Sequence, residues 1–157
     1  MHSIQIVIGK PKNLEIISKQ LNSDSGITIT EIIPTTFDLA IGPVFLSDGS
    51  LLSSIDFSKN ELALEEFQFL TKTLLTLIKN SSDSSGIGWV ETECHGGSGD
   101  QWAALWHSGN LSLEPLKGDG SINKILSELG VPKSTDEDEF TSLGLGQVRQ
   151  NNDFKKT

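Results

Sequence analysis

The chain has one cysteine, Cys94, so no disulfide can form within it and nothing points to an oxidising compartment. Positive charge is scarce as well: Lys and Arg total 12 against 21 Asp and Glu, a formal net charge of −9. Such a surface repels nucleic acid and anionic lipid, because both need basic patches to displace their counterions. It suits a basic partner, whose approach it would steer, and it keeps the protein in solution. No apolar run approaches the roughly 20 residues required to cross a bilayer. The N-terminal MHSIQIVIGKPKN has no small-residue cleavage site behind its short apolar stretch, so it reads as a first strand and not as a signal peptide. A cytoplasmic location is the expectation. No internal repeat, interdomain linker or cofactor-binding pattern stands out.

What is present fits a single globular domain: 157 residues, 36% hydrophobic and 21% charged, enough to bury a core without disulfides or metals. Ile4, Ile6 and Ile8 alternate with Gln5 and Val7, the period of a strand with one buried face. Gly9 ends it, Pro11 suits a first helical turn, and Leu14, Ile17 and Leu21 keep helical spacing to about Asn22. ITITEII, from Ile27 to Ile33, predicts a second strand stopped by Pro34. The segments from Phe37 to Leu46 and from Leu51 to Phe57 flank Asp48-Gly49, a favoured hairpin turn. Ala63, Phe67, Leu70, Leu74 and Ile78 form the stripe of a long helix from about Glu61 to Lys79, widened by Leu64, Leu75 and Leu77. Ile87–Cys94 and Gln101–His107 predict strands around a glycine-rich turn. Ser121 is the expected cap of a short helix with Ile122, Ile125, Leu126 and Leu129 on one face, stopped by Gly130 and Pro132. STDEDEF is then an acidic connection, and the tail from about residue 150 should fray. The predicted order is β-α-β-β-β-α-β-β-α: an α+β domain over residues 1–157, its sheet mainly antiparallel and its helices packed on one face.

Chemistry concentrates in GWVETECHGGSGDQWAALWHSG, from Gly88 to Gly109, which holds all three tryptophans, two of the three histidines and the cysteine. Phosphate binding by Gly96, Gly97 and Gly99 would need a following helix and nearby Lys or Arg, whereas a strand and Asp100 follow; a hairpin turn needing positive φ fits better. Cys94 as a nucleophile lacks a base on its own face, since His95 points the other way along a strand, and Glu93 opposes thiolate formation. His95, Asp100 and His107 carry metal-ligand chemistry and could serve a metal-assisted hydrolase, though their spacing matches no familiar ligand pattern. The fourth possibility is a partner-binding surface of Glu91, Glu93, His95, Asp100, Gln101, Trp102 and His107. With the hairpin centred near Ser98, Val90, Thr92 and Cys94 share a face with Trp102, Ala104 and Trp106, while Glu91, Glu93, Gln101 and His107 occupy the other. Tryptophan beside carboxylate is the composition of a hot spot for a basic protein. A one-residue slip would exchange the faces.

Two stretches carry a resemblance. VETECHGGSGDQWAALW resembles the strand–Gly-Gly-x-Gly-x-Gln–strand pattern of small bacterial immunity proteins associated with polymorphic toxins. INKILSELGV with DEFTSLGLGQVR is similar to the C-terminal end of the same group. His95 and Trp102 depart from it, standing where an aromatic and a small residue are expected. The resemblance implies an inhibitor of a cognate, basic toxin acting by occlusion, with no cofactor and no catalytic residue. It singles out Glu91, Glu93, Gly96, Gly97, Gly99, Gln101, Glu139, Phe140, Leu145 and Arg149. A secretion chaperone or adaptor, dimeric and with an apolar groove for an extended segment, is the other binding function consistent with a small acidic α+β domain.

Overall fold

The alternating isoleucines of the first segment form strand β1 (Gln5–Gly9), yet all five of its residues are buried. In this computed structural model, which describes residues 3–21, 25–52, 67–95 and 98–156, β1 lies inside a sheet covered on both faces. Helix α1 (Pro11–Gln20) follows with Pro11 in its first turn, where no amide partner is lost, and buries Leu14 and Ile17. Short strands β2 (Ile27–Thr28), β3 (Ile33–Pro34), β4 (Ala40–Pro43) and β5 (Phe45–Leu46) come next, then α2 (Lys72–Ser81), β6 (Ile87–His95), β7 (Ser98–His107), β8 (Asn110–Lys117), α3 (Ser121–Glu128) and α4 (Glu139–Ser142). The main sheet has the order β3-β4-β1-β6-β7-β8, and every adjacent pair is antiparallel. β2 and β5 form a separate two-stranded sheet.

The α+β class and the antiparallel sheet are as expected; the helices are not confined to one face. On one side Val7, Ile87, Trp89, Trp102, Ala104 and Trp106 pack with Leu14 and Ile17 of α1 and Leu74 and Ile78 of α2. On the other, Ile6, Ile8, Val90, Ala103 and Leu105 pack with Ile122, Ile125 and Leu126 of α3. The physical reason is visible in β6 and β7, where both alternating sets are apolar over Ile87–Val90 and Trp102–Trp106. Such strands need cover on both sides. α3 comes close enough that a Cβ at Gly88 would sit 2.8 Å from Ile125 Cδ1.

Other elements differ from expectation in definite ways. ITITEII splits into β2 and β3, and Pro34 lies within the edge strand β3, where its missing N–H costs no ladder bond. Asp48-Gly49 does form a turn: Gly49 has φ +89°, and Leu46 N donates to Ser50 O at 2.9 Å. The predicted strand Leu51–Phe57 lies, beyond Leu52, outside the described residues, as does the 61–66 part of the long helix. Residues 67–71 are not helical. α2 starts at Lys72, capped by the Thr71 hydroxyl, which accepts from Leu74 N. β8 is an additional strand. It is joined to β7 through Ser108 (φ +48°) and Gly109 (φ +83°), the two positive-φ residues of a type I′ hairpin.

The C-terminal segment does not fray. Asn151–Lys156 forms a 3₁₀ helix and Gln150 bridges to Ser3. Asn151 is fully buried: its Nδ2 donates to Gln5 O at 2.8 Å and Val44 O at 2.7 Å, while its Oδ1 accepts from Gln5 N at 3.0 Å. Phe154 enters the α3-side core. The tail is therefore part of the fold.

Candidate functional site

The β6–β7 hairpin is placed by its register. Glu91 pairs with Trp102, Val90 with Ala103 and Trp89 with Ala104. The centre falls between residues 96 and 97 and not at Ser98, which exchanges the expected faces. Trp89 and Glu91 share the α1/α2 side with Trp102, Ala104 and Trp106, while Val90 lies on the α3 side with Ala103 and Leu105. The tryptophans are core residues: Trp89, Trp102 and Trp106 are 0%, 7% and 2% exposed. A tryptophan hot spot on the surface is thereby corrected, because the apolar faces of both strands are covered by helices.

Glu91 is the unusual group. It is 1% exposed, and its carboxylate is enclosed by three N–H donors: Gln68 N at 2.9 Å to Oε2, and Phe69 N at 2.8 Å and Trp89 Nε1 at 3.0 Å to Oε1. Desolvation pushes its pKa up from the ordinary 4.5 to about 7, the three donors oppose that rise, and the like charge of Glu93 adds to it. The same contacts explain why helix α2 starts late. The amides of Gln68 and Phe69, which a longer helix would use internally, are committed to Glu91. With its oxygens engaged inside the molecule, Glu91 is not available to a partner.

The remaining expected site residues are dispersed. Gln101 faces α3, and its Oε1 accepts from Ile122 N at 3.1 Å, satisfying an amide of the first helical turn. Asp100 lies 3.6 Å from Lys117 Nζ, and the same ammonium stands 5.7 Å from the Trp102 ring centroid. Glu93 is half-buried opposite Asp100. His107 closes the far end of β7, its Nδ1 against the Ser112 hydroxyl and its Nε2 beside Gly86. His95 pairs with Ser98 at the near end. Nine residue steps along β7 separate that end from His107, about 30 Å at the usual rise. The structure therefore does not bring His95, Asp100 and His107 together. Among the described residues, no three His, Cys, Asp or Glu side chains are grouped to hold a metal ion. Gly96 and Gly97, with their expected positive φ, and the side chains of Cys94 and His95 lie outside the described residues.

The acidic connection is also more ordered than its composition implied. Asp138 caps α4: its carboxylate accepts from Thr141 N at 2.9 Å and from Asn123 Nδ2 at 3.1 Å, and the Thr141 amide holds its pKa below the usual range. Asn123 Oδ1 in turn accepts from Phe140 N at 2.8 Å, fastening α4 to α3. Glu139 is buried, Leu145 is core and Arg149 is exposed. Asp119, Glu128, Asp136 and Glu137 remain exposed around the two ends of α3 and the loop after it. Sequence reasoning marked Asp136 and Glu137 as part of an acidic connection but passed over Asp119 and Glu128, which lie on separate segments. It also passed over an open apolar groove of about 280 Å³, lined by Ile33, Pro34, Ile41, Leu143, Val148 and Phe154, which only the docked tail creates.

No described helix is long and apolar enough to cross a membrane. Comparison with protein-family models, curated proteins and solved structures gives no match.

Proposed function

We propose that the protein is a cytoplasmic binding module that neutralises a basic protein, in the manner of an immunity protein occluding its toxin. The observation that carries this reading is charge: −9 over the whole chain, with Asp119, Glu128, Asp136 and Glu137 outnumbering Lys124 and Lys133 among the exposed charges about one helix, α3. A surface of this sign accelerates encounter with a cationic partner, and covering that partner's cationic face blocks whatever anionic substrate it binds. The contact surface proposed from the structure is the α3 end of the molecule and not the β6–β7 hairpin, whose Glu91 and Trp102 are consumed by the fold. Co-expression with the product of the adjacent gene tests the proposal. Growth rescue, with an association rate that falls about tenfold or more from low to high salt, supports it. Asp136→Lys with Glu137→Lys should slow association and leave dissociation nearly unchanged. Association insensitive to salt, or the absence of rescue and binding, overturns it.

A secretion chaperone is the alternative favoured by the apolar groove beside β3. It requires a stable homodimer, which light scattering on a sizing column decides.

A further inference from the structure

Glu91 joins two parts of the chain that no ladder connects among the described residues: β6, in the centre of the sheet, and residues 67–70, which lead into α2. Among the described residues its cage has three N–H donors and no cation. Gln68 and Phe69 are uncharged, and Trp89 and Trp102 flank it on the sheet. The charge whose field reaches it is Glu93, on the same strand. Asp100 and Lys117, further along β7 and β8, are paired with each other, and Lys72 is the next ionisable residue after Phe69 on the α2 segment. A carboxylate buried without a counter-ion is costly when ionised and much less so when protonated, whereas in water the preference is reversed. We propose that Glu91 is a proton-operated latch that holds residues 67–70, and through them the start of α2, closed over β6 when protonated and lets them open more readily when ionised.

The direction follows from linkage. Burial raises the carboxyl from 4.5 to about 7, so the closed form binds more protons than any form in which Glu91 meets water. Closure is favoured in full below about pH 4.5, weakens as the pH rises toward 7, and is weakest above it. The hydrogen bonds act against this trend, since three N–H donors prefer the anion. Desolvation is the larger effect, and it sets the sign. In the protonated form Oε1 keeps Phe69 N and Trp89 Nε1, and the oxygen facing Gln68 keeps a lone pair for that amide.

Hydrogen exchange at the Gln68 and Phe69 amides, corrected for intrinsic base catalysis, reads the latch directly. With closed and open values of about 7 and 4.5, the opening equilibrium should rise about tenfold between pH 6 and pH 8. In Glu91→Gln, whose side chain stays neutral, the change should vanish, and the comparison cancels the histidines that titrate in the same window. The Trp89 indole N–H resonance should titrate with the same midpoint in the wild-type protein. If Glu91→Gln does not fold, Trp89→Phe serves instead: loss of one donor to the anion should move the midpoint to higher pH. Exchange that is flat between pH 6 and 8 in the wild-type protein, equal pH dependence in Glu91→Gln, or an unmoved midpoint in Trp89→Phe overturns the latch.

Discussion

Asn151→Ala tests whether the last residues belong to the fold. The Asn151 amide takes the place of a strand where β4 runs out. β1 pairs with β4 as far as Ile6–Pro43, and Gln5 then relies on the Asn151 side chain. Truncation leaves Gln5 N–H and Val44 C=O without these partners in a region where both residues are buried, while Gln5 C=O keeps Val44 N–H at 3.1 Å. Each buried group left unsatisfied costs about 1–3 kcal/mol, so the expected loss for the two is about 2–6 kcal/mol. Against a typical total of about 5–15 kcal/mol, that is a large fraction of the stability. Urea denaturation should show the midpoint falling by about 1–2 M with an unchanged slope. Asn151→Asp keeps the acceptor for Gln5 N but turns the donor side into an oxygen facing two carbonyls, and should cost at least as much as alanine. A loss below about 0.5 kcal/mol in both variants, the range of ordinary surface changes, would falsify the docked tail.

Leu70→Ala should destabilise by about 2–5 kcal/mol, because Leu70 is fully buried in the α1/α2-side core; Ile16→Ala, 44% exposed on α1, is the control expected within about 0.5 kcal/mol. Gly88→Val places a branched side chain where even a Cβ would lie 2.8 Å from Ile125 Cδ1, so it should cost about 1–3 kcal/mol, and Ile125→Ala in the same chain should recover part of it. Asp138→Ala should cost about 1 kcal/mol as a lost helix cap, measured by the same urea titration. The Asp138 carboxyl is held below its ordinary 3.8 in the folded protein, so its contribution is complete above that value and is lost as the pH falls through the folded one.

Elements with a strong period were legible in the sequence. Ile4–Ile8, Pro11–Gln20, the two hairpin strands and Ser121–Glu128 all form where their spacing puts them, although the cap of the last is Gly120 and Ser121 is its first helical residue. The helix stop at Gly130 is realised as a positive-φ residue (φ +99°), with Val131 N donating to Leu126 O at 2.9 Å. What failed was local pattern overridden by distant partners. Phe67 and Leu70 continue the stripe of Leu74 and Ile78 and are buried as that stripe requires. They are not helical, because the Gln68 and Phe69 amides serve a carboxylate 22 or more positions away. The tail looked polar and free, yet Asn151 finds its partners 107 and 146 positions back in the chain. β8 was the exception, missed although His107-Ser108-Gly109-Asn110 carries a readable hairpin turn.

Part of the candidate site was misassigned for a different reason, register, which buries Glu91 and Trp102. Glu91, Gln101 and Trp102 depend on which face of β6 and β7 meets the core, and a strand's period of two makes that assignment all-or-nothing. Moving the hairpin centre from Ser98 to between 96 and 97 placed Glu91 in the α1/α2-side core and Gln101 against α3, which removes both from the expected contact surface. A glutamate two residues from tryptophan on an apolar strand carries no mark distinguishing a solvent-facing carboxylate from a buried one. The difference lies in whether amides from elsewhere can reach it, and those of Gln68 and Phe69 do. Charge is less sensitive to register, since a net −9 must emerge on some surface whatever the strand alignment. That is why the proposal of an acidic docking face can be kept and placed at α3, while Glu91 and Trp102, first chosen to carry it, are parts of the core.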